Sequence, residues 1–375
     1  MPWNEVSAMT LRKELVTLAQ TEALPISELA RRFNVSRKTV YKWINRSQAN
    51  PNEDLKDQPK TPKSSPNKTS EQIEALIIQG RLDFPEWGGR KLKRYLENEG
   101  HSNIPAASTI TEILKRHDLL NTSSVENKER WIRFEHEYPN DLWQMDFKGP
   151  IPSNTGAWSA LTVLDDHSRF SLGIEICRQQ TYTDTKRALT DVFRRYGLPK
   201  RMTMDNGNPW GISNTNRNWT QFAIWLMDQG IYVSHSRPHH PQTQGKDERF
   251  HRSLKAEVLS KYHFSSGKDL QEKCEKWRWI YNEKRPHDAL TLEVPSTRYR
   301  PSQRSYQEKV EPYEYSETDI TRKIHSAGEL KYGGKIFFIG ASLYGKTVAL
   351  RESEHDGVLD IYYRHQRVGR LNLRD

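Results

Sequence analysis

Three acidic residues, Asp146, Asp205 and Glu248, stand in contexts where a carboxylate is expected to do chemistry. Asp146 lies in LWQMDFKG, among aromatic and apolar neighbours, where an acid is costly unless it is paired or binds a cation. Asp205 ends the apolar run RMTMD and enters MDNGNPWG, whose Asn206-Gly207 pair marks a sharp turn. Carboxylates at the C-terminal ends of strands in an α/β sheet face the ligand crevice. Glu248 follows the polar loop RPHHPQTQGKDE near the start of a helical segment. Three such acids brought together concentrate negative charge that calls for a divalent ion, and hard oxygen donors favour Mg²⁺ or Mn²⁺. Singly, each acid is as well explained as a cap or turn residue.

The surrounding pattern supplies elements to position them. From about 140 to 300 the chain alternates strands (LWQMDFKG, ALTVLDDH, RFSLGIEIC, RMTMD, IYVSHS) with helices (DTKRALTDVFRRYG, NWTQFAIWLMDQG, TQGKDERFHRSLKAEVLS), closing with DLQEKCEKWRWIYNEKRP. This predicts a mixed α/β core over 139–300. Asp165 and Asp166 read as turn and cap residues, and the Trp and Tyr residues of EKWRWIYN as core. His239 and His240 resemble metal ligands by type, but an oxygen-preferring metal assigns them to loop packing or a phosphate contact. After Pro301 short apolar runs punctuated by glycine predict a small β-barrel over 301–375.

Ahead of the core, residues 1–46 read as a helix-turn-helix unit, with Ser36 as N-cap and a recognition helix from Arg37 to Asn45. Arg37, Lys38, Thr39, Tyr41 and Lys42 would face DNA from it. Residues 47–69, rich in proline and free of aromatics, read as a linker. A second helix-turn-helix is predicted over 70–120, with Ser108 capping its last helix and Arg90, Lys91, Lys93, Arg94, Lys115 and Arg116 offered to phosphates. Residues 121–138 form a second linker. The whole is a multidomain chain of 375 residues with net charge +10, 58 basic against 48 acidic side chains, which suits a polyanionic partner. Two cysteines exclude a disulfide framework and a cysteine zinc site. No run is long and apolar enough to act as a signal peptide or cross a bilayer, so a cytoplasmic, nucleoid-associated protein without membrane contact is expected.

WQMDFKG, LTVLDDHSRF, YGLPKRMTMDNGNPWG and HSRPHHPQTQGKDERFHRSLKAE resemble, in order, the catalytic core of insertion-sequence transposases in the DDE transposase/retroviral-integrase superfamily. The likeness covers roughly 130–300, with weaker likeness on both flanks. It implies a ribonuclease H-like core and a catalytic, metal-binding triad of Asp146, Asp205 and Glu248. The implied chemistry is two-metal, in-line phosphoryl transfer: water exposes a 3′-OH at a transposon end, and that hydroxyl then attacks target DNA. Asn206, Gln244 and Lys246 fall at positions near the DNA end. Arg252 and Lys255, four and seven residues after Glu248, would hold terminal phosphates. Two transposon ends imply at least a dimer. Two departures stand out: 42 residues separate Asp205 from Glu248, including the polar stretch GISNTNRN, and Asn-Pro-Trp follows DNG where many relatives carry Ser-Pro-Phe. A cutting-only nuclease and a helix-turn-helix regulator are the rival readings.

Overall fold

The computed structural model describes residues 7–21, 24–50, 55–57, 68–120, 135–205, 207, 209–210, 219–235 and 245–374. They divide into two units, Met1–Lys68 and Thr69–Asp375.

The first unit packs three helices, α1 (Ala8–Gln20), α2 (Ile26–Arg32) and α3 (Arg37–Ala49), around Leu15, Leu29, Val40 and Trp43. Ser36 caps α3 as expected, its Oγ accepting from the Thr39 amide at 3.1 Å. Residues 47–69 are not wholly linker. Helix α3 runs on to Ala49, and Leu55, the one large aliphatic in a polar stretch, returns to the core at 5% exposure.

In the second unit, α4 (Glu71–Asp83), α5 (Gly89–Asn98) and α6 (Ala107–Arg116) enclose Ile77, Trp87, Leu92, Ile110 and Leu114. The α6 N-cap is Ala106, with no side-chain bond, so Ser108 lies inside the helix and does not cap it.

The catalytic-region sheet has strands β1 (Leu142–Ser153), β2 (Gly156–Asp165), β3 (Ser171–Cys177), β4 (Arg201–Met204) and β5 (Tyr232–His235), in the order β3-β2-β1-β4-β5. The first three pair antiparallel; β4 and β5 add in parallel. Helices α7 (Tyr182–Tyr196) and α8 (Gln221–Asp228) cover the face bearing Trp143, Met145, Leu161 and Met202. Helices α9 (Gly245–Leu254) and α10 (Gly267–Glu283) cover the other, through Phe250, Leu254, Trp277 and Tyr281 against Ala160, Leu164 and Ile174. Trp277 and Tyr281 are core, as the helical spacing predicts, whereas Trp279 is exposed. This sandwich of helices about a mixed sheet is ribonuclease H-like.

The C-terminal strands β6 (Ile320–Lys323), β7 (Glu329–Tyr332), β8 (Lys335–Phe338), β9 (Thr347–Glu352), β10 (Val358–Tyr363) and β11 (Gln366–Asn372) do not close into the expected barrel. They form an open sheet, β11-β10-β9-β6, beside a separate β7-β8 hairpin. Closure is unnecessary because the apolar face, including Val348, Leu350 and Ile361, joins the core on the α8 side. The Gln366 side chain pairs with both the amide and the carbonyl of Val233 at 2.8 Å, covering the edge strand β5.

Candidate active site

Strand register brings the first two acids together. Gln144 of β1 lies beside Thr203 of β4, the last pair of that parallel ladder, so Asp146 and Asp205 each follow it by two residues at the same end of adjacent strands. By two-residue alternation both sit opposite the core face that takes Trp143, Met145, Met202 and Met204. Asp146 Oδ1 accepts from the Phe147 amide at 2.7 Å. Burial, and then the charges of Asp205 and Glu248, push the Asp146 carboxyl up from 3.8 to about 6, while the Phe147 amide and Lys148 pull the other way. Two of the three expected acids, Asp205 and Glu248, therefore act on the carboxylate of the third, Asp146.

Asp205 is held by two donors on one oxygen: the Gly207 amide at 2.9 Å and the Trp210 indole Nε1–H at 2.5 Å. The Trp210 ring is itself stacked on Phe147, with centroids 5.0 Å apart. The residue that departs from the Ser-Pro-Phe pattern thus ties one acid to the strand of the other.

Glu248 lies exposed on α9. The helix is seated by Phe250 and Leu254 and by His251, whose Nε2 lies 2.8 Å from Thr162 Oγ1. Thr162 spends its hydroxyl proton on the Asp146 carbonyl at 3.0 Å, so His251 Nε2 is the donor and Nδ1 faces Asp146 Oδ2, 3.6 Å away, without a proton. Burial lowers His251 to about 4, which keeps the ring neutral near pH 7. Among the described residues no three acidic, histidine or cysteine side chains are drawn close enough to hold an ion. The donors have the right chemistry for a hard cation, but they do not converge here.

Other expected site residues distribute unevenly. The Lys246 ammonium pairs with the buried Asp166 and donates to the Asp166 carbonyl at 3.2 Å. Gln144 and the His136 amide also donate to Asp166, at 2.8 and 2.9 Å. Asp247, next to Glu248, is 1% exposed; burial and the charges of Asp146 and Asp166 raise its carboxyl strongly, and its Oδ1 has no partner among the described residues. Asp165 is a turn residue, accepting from Asn140 and Ser168. Arg252 and Lys255 are exposed, and α9 passes into a π-helical turn at Lys255–Leu259, so Lys255 departs from regular α spacing. Asn206, Gln244, His239, His240 and 211–218 lie outside the described residues. A cleft of about 940 Å³ between α7 and α10 is lined by Glu175, Arg195, Glu275 and Trp279 and includes none of the three acids.

The helical units also divide the expected DNA contacts. On α3, Arg37, Lys38, Tyr41 and Lys42 are exposed, while Thr39 is half-buried and engaged with the Ser36 cap. On α5, Arg90 and Arg94 pair with Asp288 and Glu293 at 2.7 and 2.8 Å, and burial lowers Lys91 to about 8. Lys93 pairs with Glu97 along its own helix, and Arg116 with Glu74 at 3.1 Å, leaving Lys115 exposed. Sequence shows the charge on α5 but not the acids that face it.

Sequence reading missed His251, Thr162, Trp210 and Asp247 as neighbours of the acids. Only Trp210 carried a signal, its departure from the related pattern.

The Integrase core domain family matches residues 136–241, and a second Integrase core domain pattern matches 229–295. A Helix-turn-helix domain matches 11–63, a Homeodomain-like domain 39–114, and the IS481 family transposase C-terminal domain 319–375. The putative transposase for insertion sequence element IS5376 of Geobacillus stearothermophilus is 22% identical over 365 residues, covering 93% of this chain and 84% of that protein. The insertion element IS407 uncharacterized protein of Burkholderia multivorans is 25% identical over 240 residues, 62% of this chain and 82% of that one. The integrase catalytic core of HTLV-2 in complex with magnesium aligns at 16% identity with a TM-score of 0.34, over 44% of this chain and 99% of that one.

Proposed function

We propose, from the premise that this chain belongs to the insertion-sequence transposases with an integrase core, that it cleaves transposon ends to expose 3′-OH groups and joins them to target DNA. The observation that carries this reading is that the charges of Asp205, which follows the end of the strand beside β1, and of Glu248 both act on the buried Asp146 carboxyl. Two divalent ions, Mg²⁺ or Mn²⁺, would be held by these three acids and would supply charge neutralisation at the attacked phosphate. The chain's own part is to hold the acids in place. Trp210 fixes Asp205, and the neutral His251 links α9 to the carbonyl of Asp146 through Thr162.

In this reading the segments divide as 1–46 and 70–120 for end recognition, 139–300 for chemistry and 301–375 as an accessory β unit. Exposed Arg37, Lys38, Tyr41 and Lys42 supply contacts to the terminal repeats, and Arg252 and Lys255 contacts near the cleaved phosphate. Because an element has two ends, the working assembly holds at least two protomers. No described helix is long and apolar enough to cross a membrane.

The test incubates the protein with Mg²⁺, a labelled duplex bearing the terminal inverted repeat that flanks its gene, and a target plasmid. Joined products are expected. Cleavage without joining would make it a nuclease, and a mobility shift alone a regulator.

A further inference from the structure

Helix α5 is the most basic helix of the second helical unit, yet its charges are spent inward. Its apolar side, Leu92 and Leu96, belongs to the core of the three-helix unit, and that core also receives Ile280 from α10. Around this contact ion pairs of both senses occur, two cations of the helical unit lying between two of its acids. The helical unit gives cations at Arg90 and Arg94, met by Asp288 and Glu293 at 2.7 and 2.8 Å. It gives acids at Glu86 and Glu99, met by Lys261 at 3.6 Å and by Lys284. Beneath them, Phe84, Trp87, Val258, Trp277 and Ile280 share the walls of one cleft of about 390 Å³. The order acid, cation, cation, acid along the unit (Glu86, Arg90, Arg94, Glu99) favours one register, because a slip that keeps an arginine against an acid at the centre takes Glu86 and Glu99 away from their lysines.

The outward side differs. Helix α6 exposes Ser108, Thr109, Glu112 and Lys115, and it is the helix left free to enter a groove. The α10 helix that receives α5 also packs Trp277 and Tyr281 against Phe250 of α9, two residues beyond Glu248. A packed path therefore runs from α6 through α5 and α10 to α9.

We infer that residues 69–120 form a measuring arm: docked in one register by Arg90–Asp288 and Arg94–Glu293, it sets how far the cleaved phosphate lies from the base pairs touched by α6. Arg94 and Glu293 are positioning residues. The inference rests on the reading of the chain as an end-cleaving transposase and adds what selects the cleavage position.

The test uses the full chain as wild type, Arg94→Glu, Glu293→Arg and the charge-swapped double variant, on the labelled terminal-repeat duplex with Mg²⁺. The cut position is read at nucleotide resolution, and hydrogen exchange over 89–98 is followed without DNA. Each single variant is expected to lower the correct cut about fivefold, the ceiling for a half-exposed pair, to spread cuts to neighbouring phosphates, and to speed exchange. The double variant restores both, while Glu293→Arg leaves the mobility shift unchanged. The Arg90→Glu and Asp288→Arg pair repeats the design at a second contact. The inference is overturned if Glu293→Arg cuts and exchanges like wild type while Arg94→Glu and the double variant lose end binding alike, since Arg94 would then be a phosphate contact. A wild type that never cuts would remove the proposed function, and exchange alone would still decide whether the arm is docked by these pairs.

Discussion

Replacing Asp146 with asparagine should stabilise the metal-free protein near neutral pH. The Asp146 carboxyl rises from 3.8 to about 6, mainly through burial and secondarily through Asp205 and Glu248. The folded chain thus holds this proton more tightly than the unfolded chain. Its contribution to stability is fully present below pH 3.8 and is lost as pH climbs to about 6. At about 1.4 kcal/mol per tenfold change in proton affinity, the ionised acid costs about 3 kcal/mol at pH 7.5. Asparagine keeps the size, and its amide oxygen can still accept from Phe147, but it carries no charge. In EDTA at pH 7.5 Asp146→Asn is therefore expected to gain about 2–3 kcal/mol, a melting shift of about 5 °C for a unit of this size. The gain should vanish below about pH 4. Thermal and urea denaturation across pH 4–8 measure it. Mg²⁺ at a hundredfold excess over its Kd should raise wild type by about 2.7 kcal/mol and the variant by less. An Asp146→Asn protein no more stable than wild type at pH 7.5, or one stabilised equally by Mg²⁺, would refute the reasoning that this acid is strained for want of a cation.

Lys246→Met should destabilise the fold by about 2 kcal/mol, below the 3–5 typical of a broken buried pair because Gln144 and the His136 amide still serve Asp166. Unchanged urea stability with a salt slope of DNA binding reduced by about 0.9 would instead return Lys246 to phosphate contact. Asp247→Asn, which neutralises a buried acid lacking a partner at Oδ1, should retain end cleavage, whereas Glu248→Gln should abolish it; the opposite result in a gel cleavage assay moves the third acid by one residue. Trp210→Phe keeps the ring against Phe147 but removes the donor to Asp205, a charge-assisted bond worth about 1.5–3 kcal/mol. Turnover about tenfold or more below wild type is expected, with end binding intact, and a wild-type rate would show that the Gly207 amide suffices.

Strands and helices of the core were legible because their apolar periodicity is strong and their punctuation plain. Strand β6 was not: Ile320, Thr321, Arg322 and Lys323 are all exposed, and only pairing with β9 makes them a strand. Barrel closure was misread because strand spacing reports the number of strands, while burial of their face depends on the α8 side of the core. The three acids stand out by context and resemblance, and two of them follow the last paired residues of adjacent strands by two residues each. Side-chain partnerships were hidden for a general reason. Asp166 and Lys246 are 80 residues apart, Arg94 and Glu293 199 apart, and nothing local distinguishes a lysine that meets a phosphate from one that meets an acid.

The neighbours Asp247 and Glu248 show why the third acid of such a site belongs at the rim. Successive helical residues point about 100° apart, so only one of the two can turn inward. Phe250, His251 and Leu254 are buried and fix the rotation of α9 about its axis. That rotation sends Asp247 into the protein and leaves Glu248 exposed. An inward acid at 1% exposure can touch no polynucleotide, because a duplex is too wide to enter a packed core. Glu248 lies at the surface and its charge still acts on Asp146. Burial thus separates two chemically similar carboxylates: Asp247 is pushed toward its neutral form inside the fold, and Glu248 stays open to solvent.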